Sequence, residues 1–290
     1  MRHYLKAYGI AALFGALKTL IFSDGLLSFS IMRDSTISLT YLILSFGLGA
    51  PSFQITSLIN LTLDMLPLFL FQLLFGTFLY RHFCTASVYF FSRKPKRIGW
   101  FLAQARNLLF LAFLYLLTML AAGICVASLL YPIQWDSASI ILMVYYLTIN
   151  TLWLFLAVLT INLVAIKLGS NTSFAIIGCF QLICLSSLIL WKNVFQQEDS
   201  SQVLLYSRIL QLNPISHLVL GWHSSFLTDI DNIINHYQLD VTFAMPLQVS
   251  FDLNYSVLAF LFLSAVLLAV GCKVIHTQDL MINNLETGGT

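Results

Sequence analysis

The chain has 290 residues, of which 59% are hydrophobic and 9% charged, with a net charge of +2 and a mean hydropathy of +0.87. A soluble domain carries about 25% charged residues, so the composition excludes an ordinary globular protein. The apolar runs are continuous rather than alternating, which favours membrane-spanning helices over a β-barrel.

Six apolar runs are long enough to cross a hydrocarbon core about 30 Å thick. They predict spans at residues 8–23, 62–80, 107–130, 139–166, 173–191 and 255–276. The predicted fold is a single all-α polytopic transmembrane domain over residues 1–290, with a loop at 81–106 and a segment at 192–254 outside the spans. The first run starts like a signal peptide, but Lys18 interrupts it and no small-residue cleavage site follows. We therefore expect it to remain as a helix.

The distribution of basic residues predicts the orientation in the membrane. With the loop at 81–106 placed inside, ten Lys and Arg side chains fall on the cytoplasmic side: Arg2, Lys6, Arg81, Arg93, Lys94, Lys96, Arg97, Arg106, Lys167 and Lys273. Arg33, Lys192 and Arg208 fall outside. The positive-inside rule then places both termini in the cytoplasm and the segment at 192–254 on the external side.

The apolar stretch at 38–53 leaves the number of spans open. It is short and contains two glycines and a proline. A crossing there would move the N-terminus, with Arg2 and Lys6, to the outside. We therefore favour a re-entrant or outer-leaflet segment over a seventh span.

The loop at 81–106 combines a basic cluster with aromatic flanks. Four of the chain's 14 Lys and Arg residues lie between Arg93 and Arg97, and Pro95 and Gly99 interrupt any helix there. One interpretation is a loop that only sets topology and contacts anionic lipid. The other is a docking element for a cytosolic protein, in which rings supply contact area and charges supply orientation. Its candidate residues are Tyr89, Phe90, Phe91, Arg93, Lys94, Lys96, Arg97 and Trp100.

Few polar residues lie within the predicted spans. Asp64 falls at the outer end of its span, where we expect it to reach water. Asn150 and Asn162 are twelve residues apart, roughly 120° around a helix, so they do not share a face. Either could line a translocation path, but hydrogen bonding between packed helices is the favoured interpretation, and Gln181 is a further polar residue of this kind.

The external segment contains a predicted amphipathic helix at 214–237. Apolar residues recur there at steps of three and four, and Pro214 stands near the start, where proline is tolerated. The helix either packs on the protein itself or, as we prefer, lies on the outer membrane surface. The residues assigned to that surface are Pro214, Trp222, Phe226, Ile230 and Ile233.

No motif for catalysis or metal binding is present in the sequence. His217, His223 and His236 are spaced by six and thirteen residues, which does not place them on one helical face, so a metal site is disfavoured. The chain contains no GxxxxGK[ST], HExxH or GxSxG motif. The five cysteines show no CxxC spacing and are interpreted as small buried hydrophobic residues. We expect neither enzymatic activity nor a cofactor in this chain.

The layout resembles the membrane subunits of type-2 ABC exporters, especially small bacterial permeases linked to antimicrobial-peptide immunity or export. The resemblance rests on six spans, the aromatic and basic first cytoplasmic loop, and the external segment from Asn213 to His223 before the last span. The stretch at 38–53 is larger than expected for this family.

The resemblance implies that residues 87–106 dock on a separate cytosolic ATPase, which would hold ATP and Mg²⁺. It implies pairing with a second permease chain, as a homodimer or with a sister subunit. The localisation it implies is the bacterial cytoplasmic membrane, the substrate an amphipathic peptide or a lipid-like molecule, and no nucleic-acid partner is expected. The alternative is a non-transporting immunity or assembly factor that binds a peptide partner through the external helix.

Overall fold

The computed structural model describes residues 2–30, 37–47, 55–89, 97–135, 137–195, 208–224 and 251–277. These residues are mainly helical, which confirms the predicted all-α class. The eight longer helices are α1 (Arg2–Ser30), α2 (Leu39–Phe46), α3 (Ile55–Phe75), α4 (Phe78–Tyr89), α5 (Arg97–Leu130), α6 (Ser137–Leu168), α7 (Ser170–Phe195) and α8 (Leu253–Thr277).

Among the described residues, five stretches are long and apolar enough to cross a membrane: Asp64–Cys84, Arg97–Leu130, Ala138–Leu168, Ser170–Leu188 and Leu253–Thr277. The chain is therefore a polytopic membrane protein. The first of these stretches runs through α3 and α4 across a turn at Gly76 and Thr77. The span predicted at residues 8–23 lies within α1, which has 29 residues and is not one of these five stretches.

Helix α6 forms the centre of the bundle because all of its faces carry apolar residues. Its middle part is almost entirely buried, including Ile149, Leu154 and Leu159. A helix that is apolar all round requires apolar neighbours on every face. Helices α2, α3, α4, α5, α7 and α8 supply these neighbours.

Helices α1 and α5 cross at very short range through small residues. A methyl group added at Gly15 would collide with the backbone of Met119, and one added at Gly123 would lie 2.8 Å from Thr19 Oγ1. Small side chains allow helix backbones in membranes to approach closely. Because both contacts advance by four residues along both helices, α1 and α5 run parallel, and their N-termini lie at the same end of the bundle.

Two pairs of very short parallel strands mark the opposite end, which we call the strand end. Strand β1 (Ile37–Ser38) pairs with β2 (Ile133–Gln134), between α5 and α6. Strand β3 (His223–Ser224) pairs with β4 (Phe251–Asp252), directly before α8. Asp252 also accepts a hydrogen bond from the Asn254 backbone N–H at 2.9 Å, which caps α8.

The other end, which we call the basic end, collects most described basic side chains. The N-termini of α1 and α5 lie there, with the C-termini of α4, α6 and α8. Its Lys and Arg residues are Lys6, Arg81, Arg97, Arg106, Lys167 and Lys273.

Helix α2 accounts for the described part of the apolar stretch at 38–53. It has eight residues, so it is about 12 Å long and is too short to cross a bilayer. Its residues Leu39, Leu42 and Ile43 are fully buried. It starts beside β1 at the strand end and runs into the bundle, where it packs against α1 and α6.

The predicted turn at 167–171 is a single residue. Gly169 has φ of 85°, a left-handed conformation that suits glycine, and its N–H donates to Ala165 O at 2.9 Å. Helix α7 begins at the next residue, so α6 and α7 are closely connected at the basic end.

Candidate functional site

The predicted docking residues fall mostly outside the described part of the chain. Phe90, Phe91, Arg93, Lys94 and Lys96 lie in the stretch between α4 and α5 that the structure does not describe, and Tyr89 is the last residue of α4. Arg97 begins α5, and Trp100 lies in its first turns.

The helices on either side of that stretch, α4 and α5, contact each other, and α5 also packs on α8. The rings of Phe83 in α4 and Trp100 in α5 are 6.2 Å apart. Phe101 is fully buried, and a methyl group added at Gly271 of α8 would collide with its ring. Residues 90–96 therefore connect two helices, α4 and α5, that are in contact with each other. Phe101 also brings α5 into contact with the last helix, α8.

The predicted external helix at 214–237 is wrong over its described part. Residues 208–212 form a short helical segment, and two 3₁₀ turns follow at Ser216–Leu218 and Leu220–Trp222. Trp222, expected on the membrane surface, is only 3% exposed and packs inside the protein. Pro214 is half-buried, whereas Phe226, Ile230 and Ile233 lie outside the described residues.

His217 and His223 meet at one serine, although their spacing argued against a shared site. His217 Nδ1 and His223 Nε2 each lie 2.8 Å from Ser256 Oγ, in the first turns of α8. His217 Nε2 lies 2.9 Å from Gln211 O, and His223 Nδ1 lies 3.0 Å from Val219 O. The change of direction between the 3₁₀ turns brings the two rings together, which a regular helix would not do.

The hydrogen bonds of this cluster require protons that the neutral side chains cannot all supply. The carbonyls of Gln211 and Val219 only accept, so each ring uses its single N–H there when neutral. The Ser256 hydroxyl has one proton and can donate to only one of the remaining ring nitrogens. One further proton, on His217 or His223, would complete all four contacts.

Burial opposes that further proton. It is the main cause that lowers the pKa of His223 to about 4, with the nearby His217 acting in the same direction and the bonds to Val219 and Leu220 opposing it. Burial also lowers the pKa of His217, against its bond to Gln211. Ser256 is completely buried. A substrate therefore has no access to the hydroxyl, and the cluster is better suited to holding the 208–224 segment on α8 than to hydrolysis.

Lys18 and Asp64 form an ion pair that sequence reasoning missed. Their Nζ and Oδ1 atoms are 2.8 Å apart, and the side chains are 9% and 5% exposed. The expectation that Asp64 reaches water at a span end is therefore wrong, because α3 begins at Ile55 and places it inside the bundle. Two opposite charges within predicted spans were the signal that could have indicated this pair.

Lys18 also neutralises the end of α2. Its ammonium group donates to Phe46 O at 3.1 Å and lies 3.4 Å from Gly47 O. These carbonyls stand at the negative end of the helix dipole, where a cation is favourable. The Lys18–Asp64 pair therefore fixes α1, α2 and α3 to one another.

Asn150 and Asn162 have different surroundings. Asn162 accepts from the Tyr80 N–H at 2.9 Å and donates to Val158 O at 2.7 Å, with Phe75 O at 3.3 Å. It therefore supplies hydrogen bonds to the interrupted backbone between α3 and α4. Asn150 donates to Tyr146 O in its own helix, at 2.9 Å.

A partly open groove of about 300 Å³ lies between α6, α7 and α8. Its floor is formed by buried residues, including Trp153, Leu156, Gln181 and Phe260. Its rim is apolar and exposed, and consists of residues such as Phe180, Leu263, Val266 and Val270. Because α6, α7 and α8 are all candidate spans, this rim would face the hydrocarbon region or a second protein chain.

No described group of three or more His, Cys, Asp or Glu residues could hold a metal ion. Comparisons with protein-family models, with curated proteins and with solved structures find no match to the chain.

Proposed function

We propose that this protein is the permease subunit of an ATP-driven transporter of the type-2 ABC exporter kind, working with a separate ATPase subunit. In this proposal α1 is the sixth span, and the basic end faces the cytoplasm with both termini. The parallel course of α1 and α5 supports this orientation, because it puts Lys6 at the same end as Arg97 and Arg106.

The observation that carries the proposal is the packing around Phe101. The ATPase would dock on the basic and aromatic connection at 90–96. The motion of the ATPase would reach α4 and α5 through the contact between Phe83 and Trp100. Phe101 would pass it to α8 at Gly271, the residue that follows Val270 in the groove wall. This mechanical connection links a cytoplasmic docking site with a groove suited to apolar chains.

The substrate proposed is an amphipathic peptide or a lipid-like molecule, and the working unit contains two permease chains and two ATPase chains. ATP and Mg²⁺ would be held by the ATPase. The rival function, a non-transporting immunity or assembly factor, requires an exposed external helix as a peptide-binding surface. The burial of Leu218 and Trp222 removes that surface from the described part of the segment.

Replacing Arg93, Lys94, Lys96 and Arg97 by Ser tests the docking role. We expect at least about a tenfold loss of co-purification with the ABC ATPase encoded nearest to this gene, because several orienting charges are removed. Transport should fall with it. The matched control replaces Lys167 and Lys273 by Ser, which removes basic charge at the same end but outside the connection. Protease accessibility of an N-terminal tag checks that the orientation is retained.

Phe101→Ala separates docking from coupling in the same assay. It should leave co-purification intact and reduce transport and substrate-stimulated ATP hydrolysis. Unchanged co-purification and transport in the four-serine variant, with normal insertion, would refute the docking role. Peptide immunity that persists without any ATPase would favour the rival function.

A further inference from the structure

Two residues that line the groove between α6, α7 and α8 carry buried polar atoms without a hydrogen-bond partner among the described residues. Both side-chain atoms of the Gln181 amide, Nε2 and Oε1, lack a partner within the described part of the chain, as does Trp153 Nε1. Gln181 is 1% exposed, and both residues line the groove. An unsatisfied buried polar group destabilises the folded protein, and a bilayer supplies no water to replace the partner.

The shape of the groove limits what can occupy it. Its lining on α8 extends from Phe260 to Val270, a distance of about 15 Å along a helix. A volume of about 300 Å³ over this length describes a narrow groove. An α-helix with side chains is about 10–12 Å across. The groove therefore suits a single extended chain better than a helical peptide.

The unpartnered atoms specify the chemistry that such a chain would need. Trp153 Nε1 and Gln181 Nε2 are donors that require an acceptor, and Gln181 Oε1 is an acceptor that requires a donor. An ester supplies only acceptors, whereas a secondary amide supplies a carbonyl and an N–H. The Gln181 amide is covered by neighbouring atoms, and rotation about its side-chain bonds would turn it towards a ligand.

We infer that this groove is a binding site for a single alkyl chain that carries a secondary amide, with Gln181 as its polar anchor and Trp153 as a second donor. The inference refines the substrate class of the proposed transporter and rests on that function only for the movement of the ligand. Binding itself is a property of this chain. It can therefore be measured without the ATPase, so that failure of the docking role would leave it standing.

Fluorescence quenching of Trp153 tests the site directly. The purified full-length chain in detergent is titrated with an N-acyl ethanolamide whose acyl chain carries bromine, and with the ester of the same acid and ethylene glycol. We expect the amide to quench at a concentration at least about fivefold lower than the ester. Trp153→Phe should lose this component of quenching, because Trp100, Trp135 and Trp222 lie outside the described lining of the groove.

Gln181→Met is the discriminating variant, since it keeps the size and length of the side chain. This variant should raise the concentration of the amide probe needed for quenching to that of the ester probe. The concentration of the ester probe needed should stay the same. Ala157→Phe, which fills the groove, should weaken both probes, with gel filtration and thermal unfolding as the check on folding.

Four results would overturn the inference. The first is equal quenching by amide and ester in the wild-type chain. The second is an unchanged preference in Gln181→Met. The third is the absence of quenching of Trp153 at any probe concentration, which would mean that the protein itself or a second chain closes the groove. Stronger competition by an apolar helical peptide than by the acyl amide would refute the single-chain assignment.

Discussion

The Lys18–Asp64 pair and the Gln181 amide are both buried among apolar helices, but their surroundings differ. Lys18 contacts a carboxylate and the carbonyl end of α2, so its charge and its donors are compensated within the protein. The donors and the acceptor of the Gln181 amide make no hydrogen bond to any described residue. The first arrangement is typical of a structural brace, and the second is typical of a site completed by something else.

The cluster of His217, His223 and Ser256 lies between these extremes. Each ring nitrogen has a neighbour, but the neutral cluster has one proton too few for four hydrogen bonds. The protonation state of this cluster therefore depends on pH. The stability of the Lys18–Asp64 pair depends instead on the presence of both partners. The comparison predicts a different response from each site when one component is removed.

Removing one partner of the compensated pair should have the largest effect. Lys18→Met removes the ammonium partner of the buried Asp64 carboxylate and should lower the free energy of unfolding by about 3–5 kcal/mol, measured by denaturant titration in detergent. The double variant Lys18→Met with Asp64→Leu should recover most of that loss. Lys6→Met, an exposed residue of the same helix, is the control. A double variant as unstable as the single would show that Lys18 acts mainly through the α2 carbonyls.

Acidification should weaken the histidine cluster. The folded-state pKa of His223, about 4, lies below the ordinary value of 6.5. The stability that the neutral ring contributes is therefore complete above about pH 6.5 and declines as the pH falls towards 4. The shift corresponds to a loss of roughly 3 kcal/mol, since one pKa unit is about 1.4 kcal/mol.

Unfolding measured between pH 7 and pH 4.5 checks this prediction. His223→Gln should flatten the pH dependence, because the amide does not titrate. The matched control is His82→Gln, at an exposed position of α4. Identical slopes for wild type and His223→Gln would contradict the role assigned to the buried ring.

The sequence predicts helices better than it predicts the contacts between them. Spans follow from length and apolarity, which the bilayer imposes locally, and the turn at Gly169 follows from a short polar interruption. The irregular course at 216–222 does not follow from steps of three and four. That spacing is compatible with an amphipathic helix. The segment forms 3₁₀ turns instead because it packs on α8.

The polar sites were harder to predict because their members are far apart in sequence. Asp64 lies 46 residues after Lys18, and Ser256 lies 33 residues after His223. Only the presence of opposite charges within predicted spans indicated the first pair. Nothing in the sequence distinguished Gln181, which lacks described partners, from Asn162, which has them.

Gln181 and Asn162 provide the smallest but most direct test of the comparison, because both are buried amides in spans. Gln181→Met removes polar atoms that have no described partner and should raise the free energy of unfolding of the ligand-free protein by about 1 kcal/mol. Asn162→Leu removes the hydrogen bond from the Tyr80 N–H to Asn162 Oδ1 and should lower the free energy of unfolding by about 1–3 kcal/mol. The two changes are measured by the same denaturant titration, so their signs can be compared directly. Destabilisation by Gln181→Met similar to that of Asn162→Leu would mean that the amide of Gln181 is satisfied within the protein, and the groove would then lose its polar anchor.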